Sequence, residues 1–434
     1  MDSSSTSIRL FDRYWKALPV RPNGLWLVAA LLLFCLGGNA WHAQVLKANE
    51  LGSLTDTFPS HRCDLLPVYM ATRIALHQDN PYSVSAIRSI DDVYYGSSVS
   101  PQQLAIRDLM GFAYPLPVVL LFAPLAALPW RAASFLYLLL SAASAVILGP
   151  LWMRVLGVRL PPFRYALLLL AGLACWPMVW ELRVQNIVLT VAVCLAFGLY
   201  ALQRGHPTTA GILIALGSLK PQVTLLMVLW LIVWAIVQRR FRFVAAFVGA
   251  ALLLAAGSFA LVPRWISDWL EGISNYQRYT HIWALLPVPC AVVLSLVVMA
   301  FLARSLRCHL ESPEFGTAVS LCLATMIALA PFVWTHAYDY ILLLPACYIV
   351  LMGKPQNQLG DLLRGVTLFL ISLEFVLGPI SSAVELAKGN SSVLNALPGL
   401  NLLLPVSLTL TLLFYQIRWK AAGENQAALT PLPR

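Results

Sequence analysis

The chain has 434 residues, of which 59% are hydrophobic and only 11% are charged. Soluble domains have about 25% charged residues, so this chain carries too little charge to cover a water-facing surface. The composition excludes a cytosolic enzyme, a disordered chain and a secreted disulfide module, and indicates an all-α, polytopic integral membrane protein. The net charge is +10. Because Lys and Arg collect in the cytoplasmic loops of membrane proteins, this charge does not indicate a nucleic-acid partner.

The first predicted element is an apolar run from Gly24 to Ala43, which follows a basic segment. The run is too long for the core of a typical signal peptide, so we interpret it as an uncleaved anchor. We therefore predict a cytoplasmic N-terminal segment at 1–22 and a first transmembrane helix at 23–43.

A long polar region comes next, and we assign 44–131 to an extracytoplasmic loop. Apolar residues recur at helical spacing within 65–76, which predicts amphipathic helices that lie on the membrane surface. In the segment Tyr114–Pro129, about 14 residues separate the inner prolines from the last one, whereas a span needs about 20. Excluding this segment from the spans also places most arginine-rich loops in the cytoplasm. We therefore predict that it is re-entrant or interfacial.

The region 132–417 is predicted to be a transmembrane helical bundle, and 418–434 a cytoplasmic tail. With the first helix, the apolar stretches make about 12 transmembrane helices and place both termini in the cytoplasm. The predicted spans in this region are 132–152, 165–180, 186–203, 207–219, 221–238, 243–262, 284–303, 316–334, 338–352, 364–380 and 399–417.

The predicted topology gathers the polar side chains at the outer ends of the spans. Lys220, His336 and Asp339 all lie at such ends, and few ionisable residues fall at the depth of the lipid chains. A proton-coupled transporter usually carries charges near the membrane midplane, whereas an enzyme acting at the interface needs them at one surface. No Cys or His spacing in the sequence is typical of a metal site.

Five segments, in order over residues 60–345, resemble the motifs of glycosyltransferase family 87. The first begins with Asp64, continues into a helix that contains Tyr69, and ends in the turn Asn80-Pro81-Tyr82. This sequence has Val184-Gln185 where the family has Gly-Gln, and Ala330 where it has Ser. The four other similar segments are Tyr114-Pro-Leu-Pro, Gln185-Asn186, Gly211 through Lys220-Pro221, and Pro331 through Pro345 with Trp334 and His336.

The resemblance implies a fold of the GT-C class and a sugar transferase activity. It implies a polyprenyl-phosphate-sugar donor, with mannose as the expected sugar, and a lipid-linked or cell-envelope glycan acceptor. It also implies inversion at the sugar carbon and a site on the extracytoplasmic face of a bacterial inner membrane. The resemblance also suggests that no metal is essential, and we expect no cofactor. The other partners we expect are membrane lipids.

The chemistry of such a transfer assigns roles to the matching residues. An acceptor hydroxyl needs a base, for which we select Asp64, and a leaving phosphate needs cations or strong donors. We predict His336 as the second catalytic residue, since it matches the late family segment. The predicted substrate-binding residues are Lys220, Tyr82, Arg183, Gln185, Asn186, Asp339 and Arg131.

Each of these residues also has a structural interpretation. Asp64 could cap the helix that follows it, and Lys220 could extend its ammonium group from a broken helix to the interface. Arg183 could pair with Glu181, while Gln185 and Asn186 could simply tie helices together. Two other function classes compete as well, namely a transporter or flippase of lipid-linked glycans and a non-catalytic membrane scaffold. A transporter would require alternating access, for which the sequence has no paired inverted halves.

Overall fold

The computed structural model describes residues 22–52, 63–95, 111–158, 160–279, 288–329, 337–353, 358–388 and 403–415. In these ranges every regular element is a helix, which confirms the all-α fold class. The α-helices are α1 Pro22–Gly52, α2 Leu65–Leu76, α3 Val84–Tyr95, α4 Pro117–Ala126, α5 Trp130–Val155, α6 Pro162–Ala174, α7 Trp176–Val184, α8 Val188–Gln203, α9 Pro207–Gly217, α10 Pro221–Val237, α11 Phe241–Leu261, α12 Trp265–Tyr279, α13 Val288–Ser305, α14 Pro313–Ala328, α15 Leu344–Met352, α16 Gln358–Lys388 and α17 Leu403–Tyr415. A 3-10 helix, Ala337–Leu343, precedes α15.

Three helices in the described part of the chain are long and apolar enough to cross a membrane by themselves. They contain the segments Gly24–Trp41, Trp130–Val155 and Phe241–Leu261. The bent pair of α6 and α7 adds a fourth candidate if it forms one broken span. The protein is therefore a membrane protein, and the count of about 12 spans stays a prediction.

The break between α6 and α7 has a local cause. The two helices meet at Cys175 with a bend of 54°. Pro177 lies in the first turn of α7 and cannot donate a backbone hydrogen bond to the preceding turn. Asn39 of α1 compensates by donating its side-chain amide to the carbonyl oxygen of Ala174, at 2.8 Å. Because lipid offers no hydrogen bonds, such a break is tolerated where another helix supplies the donor.

Consecutive helices α8 and α9 form an antiparallel hairpin that sets the two ends of the bundle. They are joined by a tight turn over residues 204–206, with Gly205 at a φ of +79°. The residues that precede α8 and follow α9 therefore lie at the same end. Gly211 allows α9 to pack closely on α11, because a Cβ atom there would lie 2.5 Å from the carbonyl oxygen of Phe243.

The predicted helix at 65–76 is present as α2, but it is more enclosed than an amphipathic surface helix. Eight of its twelve residues are buried. It packs on α3 and α4, and α4 in turn contacts α11 through Leu120 and Gly257. Helix α4 has ten residues, which correspond to about 15 Å, or half the thickness of the hydrocarbon core.

Candidate active site

Two helix junctions, the 3-10 helix and two segments before helices bring five polar side chains together at one end of the bundle. Asn186 lies in the turn between α7 and α8, Lys220 lies between α9 and α10, and Asp339 lies in the 3-10 helix. Asp64 precedes α2, and Tyr114 lies in the non-helical stretch before α4. We call these five residues the polar cluster. Four of them were predicted from the sequence as site residues, and Tyr114 was not.

Asn186 is the centre of the polar cluster, and all four hydrogen-bonding positions of its amide are used. Its Nδ2 atom donates to Oδ2 of Asp64 at 2.7 Å and to the hydroxyl of Tyr114 at 2.8 Å. Its Oδ1 atom accepts from Nζ of Lys220 at 3.2 Å and from the backbone N–H of Val188 at 3.1 Å. Because Nδ2 faces two acceptors and Oδ1 faces two donors, only one orientation of the amide satisfies all four partners.

Lys220 does not extend to the interface, so that structural interpretation is wrong. Only 3% of the residue is exposed, and its Nζ atom forms an ion pair with Oδ1 of Asp339, which is 1% exposed. The ammonium also lies 4.8 Å from the ring centroid of Tyr338. Pro221 after it disfavours helical backbone at Lys220, which explains why α9 ends and α10 begins here. A buried ammonium group requires such a partner.

Asp64 occupies the N-cap position of α2, but its side chain makes no capping hydrogen bond. The capping interpretation is therefore wrong, and the carboxylate is directed to Asn186 instead. Its backbone N–H donates to the carbonyl oxygen of Val184 at 2.7 Å, which satisfies a free carbonyl at the end of α7. Asp64 is half-buried, whereas Asn186, Lys220 and Asp339 are buried. It is thus the carboxylate of the polar cluster with the best access to a substrate.

The Asn-Pro-Tyr turn holds Tyr114 in position from outside the cluster. The side chain of Asn80 accepts from the backbone N–H of Tyr82 at 3.0 Å, an Asx turn. The hydroxyl of Tyr82 then donates to the carbonyl oxygen of Tyr114 at 2.7 Å. From the other side, Trp269 of α12 donates to the carbonyl oxygen of Ala113 at 3.0 Å. Tyr82 therefore contacts the cluster through the backbone of Tyr114.

The electrostatic surroundings of Tyr114 keep its phenol neutral. Burial raises its pKa well above the ordinary value, and the negative charges of Asp64, Asp339 and Glu181 raise it further. A neutral phenol that accepts from Asn186 still has its own proton to donate. Tyr114 can therefore offer a hydrogen bond to a neighbouring carboxylate or to a substrate oxygen.

Glu181 is an acid close to the polar cluster that sequence reasoning did not include. It is fully buried in α7, near enough to Asp64, Lys220 and Asp339 for their charges to act on it. Its Oε1 atom accepts from the backbone N–H of Leu189 at 3.3 Å, and therefore caps α8. An acid inside an apolar helix is itself a signal of function, and this signal could have identified it.

The other predicted residues lie around the cluster rather than in it. Gln185 has a left-handed backbone, with φ 55°, and its side chain accepts from Ser134 at 3.0 Å. The guanidinium of Arg183 lies 4.5 Å from the ring centroid of Trp180, and Arg131 is exposed in the first turn of α5. His336 lies outside the described residues.

Two other chemistries lack support in the described part of the chain. No group of three or more His, Cys, Asp or Glu side chains is arranged there to hold a metal ion. Cys63 is next to Asp64, but burial and then the charge of Asp64 raise the pKa of its thiol to about 12. This cysteine therefore stays protonated and is a poor nucleophile.

Comparison with known proteins identifies one family. The model of glycosyltransferase family 87 matches residues 112–352, which is more than half of the chain. The matched range includes four members of the polar cluster, and Asp64 precedes it. No curated protein and no solved structure matches the chain.

Proposed function

Because the chain belongs to glycosyltransferase family 87, we propose that it transfers mannose from a polyprenyl-phosphate donor to a lipid-linked or cell-envelope glycan acceptor. The observation that carries this proposal is the half-buried carboxylate of Asp64, held by the fully bonded amide of Asn186. Membership of this family is also the reason why we propose the GT-C fold class. We also propose that the protein lies in the inner membrane of a bacterium, as the family resemblance implies, and that the site faces the periplasm, as the distribution of Lys and Arg predicts.

Asp64 is the proposed general base. The acceptor oxygen attacks the anomeric carbon, the bond from that carbon to the phosphate oxygen breaks, and the hydroxyl proton passes to Asp64. Attack opposite to the leaving group inverts the sugar carbon. A positioned base contributes about 10²–10⁴-fold to such a reaction. The hydrogen bond from Asn186 orients the carboxylate, and it leaves the second oxygen of Asp64 for the acceptor.

The leaving group is polyprenyl phosphate, whose negative charge needs donors in a site with little water. The ammonium group of Lys220 has three N–H bonds. One donates to Asp339 and another to Asn186. The third remains for a phosphate oxygen. His336 is the second proposed phosphate contact, and Arg183 and Arg131 are further cationic candidates at the edge of the site.

Of the remaining predicted residues, we propose that most position other groups of the site and that one contacts the sugar. The amide of Asn186 is filled by protein groups, so we propose that it positions Asp64 and does not contact the sugar directly. Tyr82 would act by holding the backbone of Tyr114. Gln185 is close to the same turn and is proposed to contact sugar hydroxyls. Asp339 neutralises Lys220 and orients it towards Asn186.

The test uses purified protein in lipid nanodiscs with a short-chain polyprenyl-phosphate mannose and a crude lipid extract. Mass spectrometry measures the release of polyprenyl phosphate and the mannosylated product. We expect both from the wild type and at least a 10²-fold slower release from Asp64→Asn. The matched control is Asp92→Asn, which changes an exposed acid of α3 and should leave the rate unchanged.

The possible outcomes test the role of Asp64, the identity of the sugar and the transferase activity separately. A fully active Asp64→Asn variant would remove Asp64 from the mechanism. Release with another polyprenyl-phosphate sugar, but not with mannose, would change the sugar and keep the reaction. Movement of a labelled lipid-linked sugar across the bilayer without a new glycosidic bond would replace the transferase by a flippase.

A further inference from the structure

A cavity lined by both apolar and polar side chains lies at the opposite end of the bundle from the polar cluster, where α8 ends and α9 begins. Its volume is about 490 Å³. Helix α8 has 16 residues and therefore separates the two ends by about 24 Å. The cavity is lined by Phe197, Tyr200, Ala201, Arg204, His206 and Thr209.

Two arginines converge on one aromatic ring of this cavity. The guanidinium carbon of Arg204 lies 5.2 Å from the ring centroid of Tyr200, and that of Arg154, from the last turn of α5, lies 6.0 Å from it. Nε of Arg204 also donates to the hydroxyl of Tyr200 at 3.0 Å. The guanidinium carbons of Arg154 and Arg204 are therefore at most about 11 Å apart, and both lie near the ring of Tyr200.

These cations have no carboxylate on the elements that carry them. Helices α5, α8 and α9 and the 204–206 turn contain no Asp or Glu, and in the described part of the chain neither Arg154 nor Arg204 forms an ion pair. Both side chains are exposed. This contrasts with Lys220, which is compensated inside the protein. Among the described residues no acid compensates the two arginines, so their charges are available to an external anion.

The start of α9 adds backbone donors to the same cavity. Pro207 is in the first turn and His206 at the N-cap makes no side-chain cap, so the N–H groups of Thr208 and Thr209 lack a partner within the helix. Such N–H groups and the helix dipole favour an anion, as at phosphate sites. Thr209 and Arg204 both line the cavity, so the start of α9 lies beside one of the two arginines.

Beside the cations, the surface is apolar. Phe197 lines the cavity and is 43% exposed, and Ile212, on α9, is 44% exposed. A free inorganic anion would gain nothing from this surface, whereas the acyl chain of a lipid would cover it. The arrangement therefore matches an amphiphile that has a phosphate at one end.

From these features we infer that the cavity at the α8–α9 turn binds an anionic phospholipid of the surrounding bilayer, with its phosphate between Arg154 and Arg204. The acyl chain lies along Phe197 and Ile212. The Tyr200 ring holds both guanidinium groups in position before the lipid arrives, and the start of α9 donates to the phosphate. This site is separate from the site of sugar transfer. Its function is to hold the turn between α8 and α9 against the bilayer, while Lys220 lies at the opposite end of this hairpin.

The test is a titration of detergent-purified protein with dioleoyl phosphatidylglycerol and with dioleoyl phosphatidylcholine, followed by native mass spectrometry. We expect the anionic lipid to bind at least tenfold more tightly to the wild type. The double variant Arg154→Gln/Arg204→Gln should weaken binding of the anionic lipid by about 30-fold, because each basic residue near a membrane surface contributes about five- to sixfold. Equal binding of the two lipids to the wild type would overturn the proposal.

Two further variants separate lipid binding from folding and from general surface charge. Arg304→Gln removes a guanidinium that lies 5.7 Å from the ring centroid of Phe301, outside the cavity, and should leave binding unchanged. Thr209→Glu places a negative charge in the first turn of α9, which favours the helix but repels a phosphate. It should preserve thermal stability and abolish the lipid preference.

Three results would contradict the site. One is a loss of binding in Arg304→Gln as large as in the double variant, which would mean general attraction to a basic surface. Another is unchanged lipid preference in Thr209→Glu. The third is an increase in thermal stability with inorganic phosphate that is as large as the increase with the anionic lipid. This result would mean that the site binds a free anion.

Discussion

The two ends of the α8–α9 hairpin handle positive charge in opposite ways. At one end, Lys220 is buried, paired with Asp339 and bonded to Asn186. At the other end, Arg154 and Arg204 are exposed and share a tyrosine ring, with no acid on their helices. The charge of Lys220 is compensated by an acid of the protein itself, whereas the charges of Arg154 and Arg204 are compensated only when an external anion is bound.

This difference explains what each end can do. A buried and compensated cation is held in one position and can orient a neighbour, here the amide that holds Asp64. An exposed cation has almost no orienting effect because water screens it, but it can attract a charged ligand from solution or from the membrane. Substitutions at the polar cluster should therefore change chemistry and stability together, and substitutions at the opposite end should change lipid binding.

The largest effect is expected from Lys220→Met, which removes the ammonium group that pairs with the buried carboxylate of Asp339. Removing one member of a buried ion pair lowers the free energy of unfolding by about 3–5 kcal/mol. Unfolding in mixed detergent micelles measures this loss. The double variant Lys220→Met/Asp339→Asn removes both charges and should recover at least half of the lost stability without recovering sugar transfer. A single variant as stable as the wild type would show that the pair is not compensating a buried charge.

A smaller effect is expected from Asn186→Ala, which releases the carboxylate of Asp64. A hydrogen bond to a charged group contributes about 1.5–3 kcal/mol, so kcat should fall by about 10–100-fold while KM changes little. The control is Gln238→Ala, which removes an amide at the opposite end that donates to the carbonyl oxygens of Leu306 and Cys308. The control should lower stability and preserve kcat. An unchanged kcat in Asn186→Ala would exclude a positioning role for this residue.

The smallest of the three effects is expected from Tyr114→Phe. The variant loses one neutral hydrogen bond, which contributes about 0.5–1.5 kcal/mol, so the transfer rate should fall by about two- to tenfold. Tyr82→Phe is the comparison, since it loses a hydrogen bond to the backbone of Tyr114 rather than a bond within the cluster. Its effect on the rate should be smaller. A larger loss in Tyr82→Phe than in Tyr114→Phe would mean that the placement of the segment matters more than the phenol.

Much of the fold and part of the candidate site follow from local patterns in the sequence. The helix at 65–76 is predicted from apolar spacing alone, and the structure has it as Leu65–Leu76. The helix boundary at Lys220-Pro221 is predicted because proline cannot continue the preceding helix. Asp64, Asn186 and Lys220 are predicted as site residues because they match motifs of glycosyltransferase family 87, and Asp339 is predicted because it lies at the end of a predicted span.

The roles of individual side chains do not follow from such patterns. The sequence allows Asp64 to cap α2 and Lys220 to extend to the interface, and the structure contradicts both. Tyr114 and Glu181 were missed because their proximity to Asp64 depends on contacts across long sequence separations. Tyr114, for example, is 72 residues from its partner Asn186.

The sequence by itself determined that the protein is helical, that it belongs in a membrane, and which helix ends carry polar residues. These properties depend on composition and on periodicity, and both are local. Only the tertiary structure decided that Asn186 joins Asp64, Tyr114 and Lys220 in one hydrogen-bonded network, and that Arg154 and Arg204 share one tyrosine ring. The physical reason is that a hydrogen bond or an ion pair depends on distances of a few ångströms between side chains, which the packing of distant helices sets.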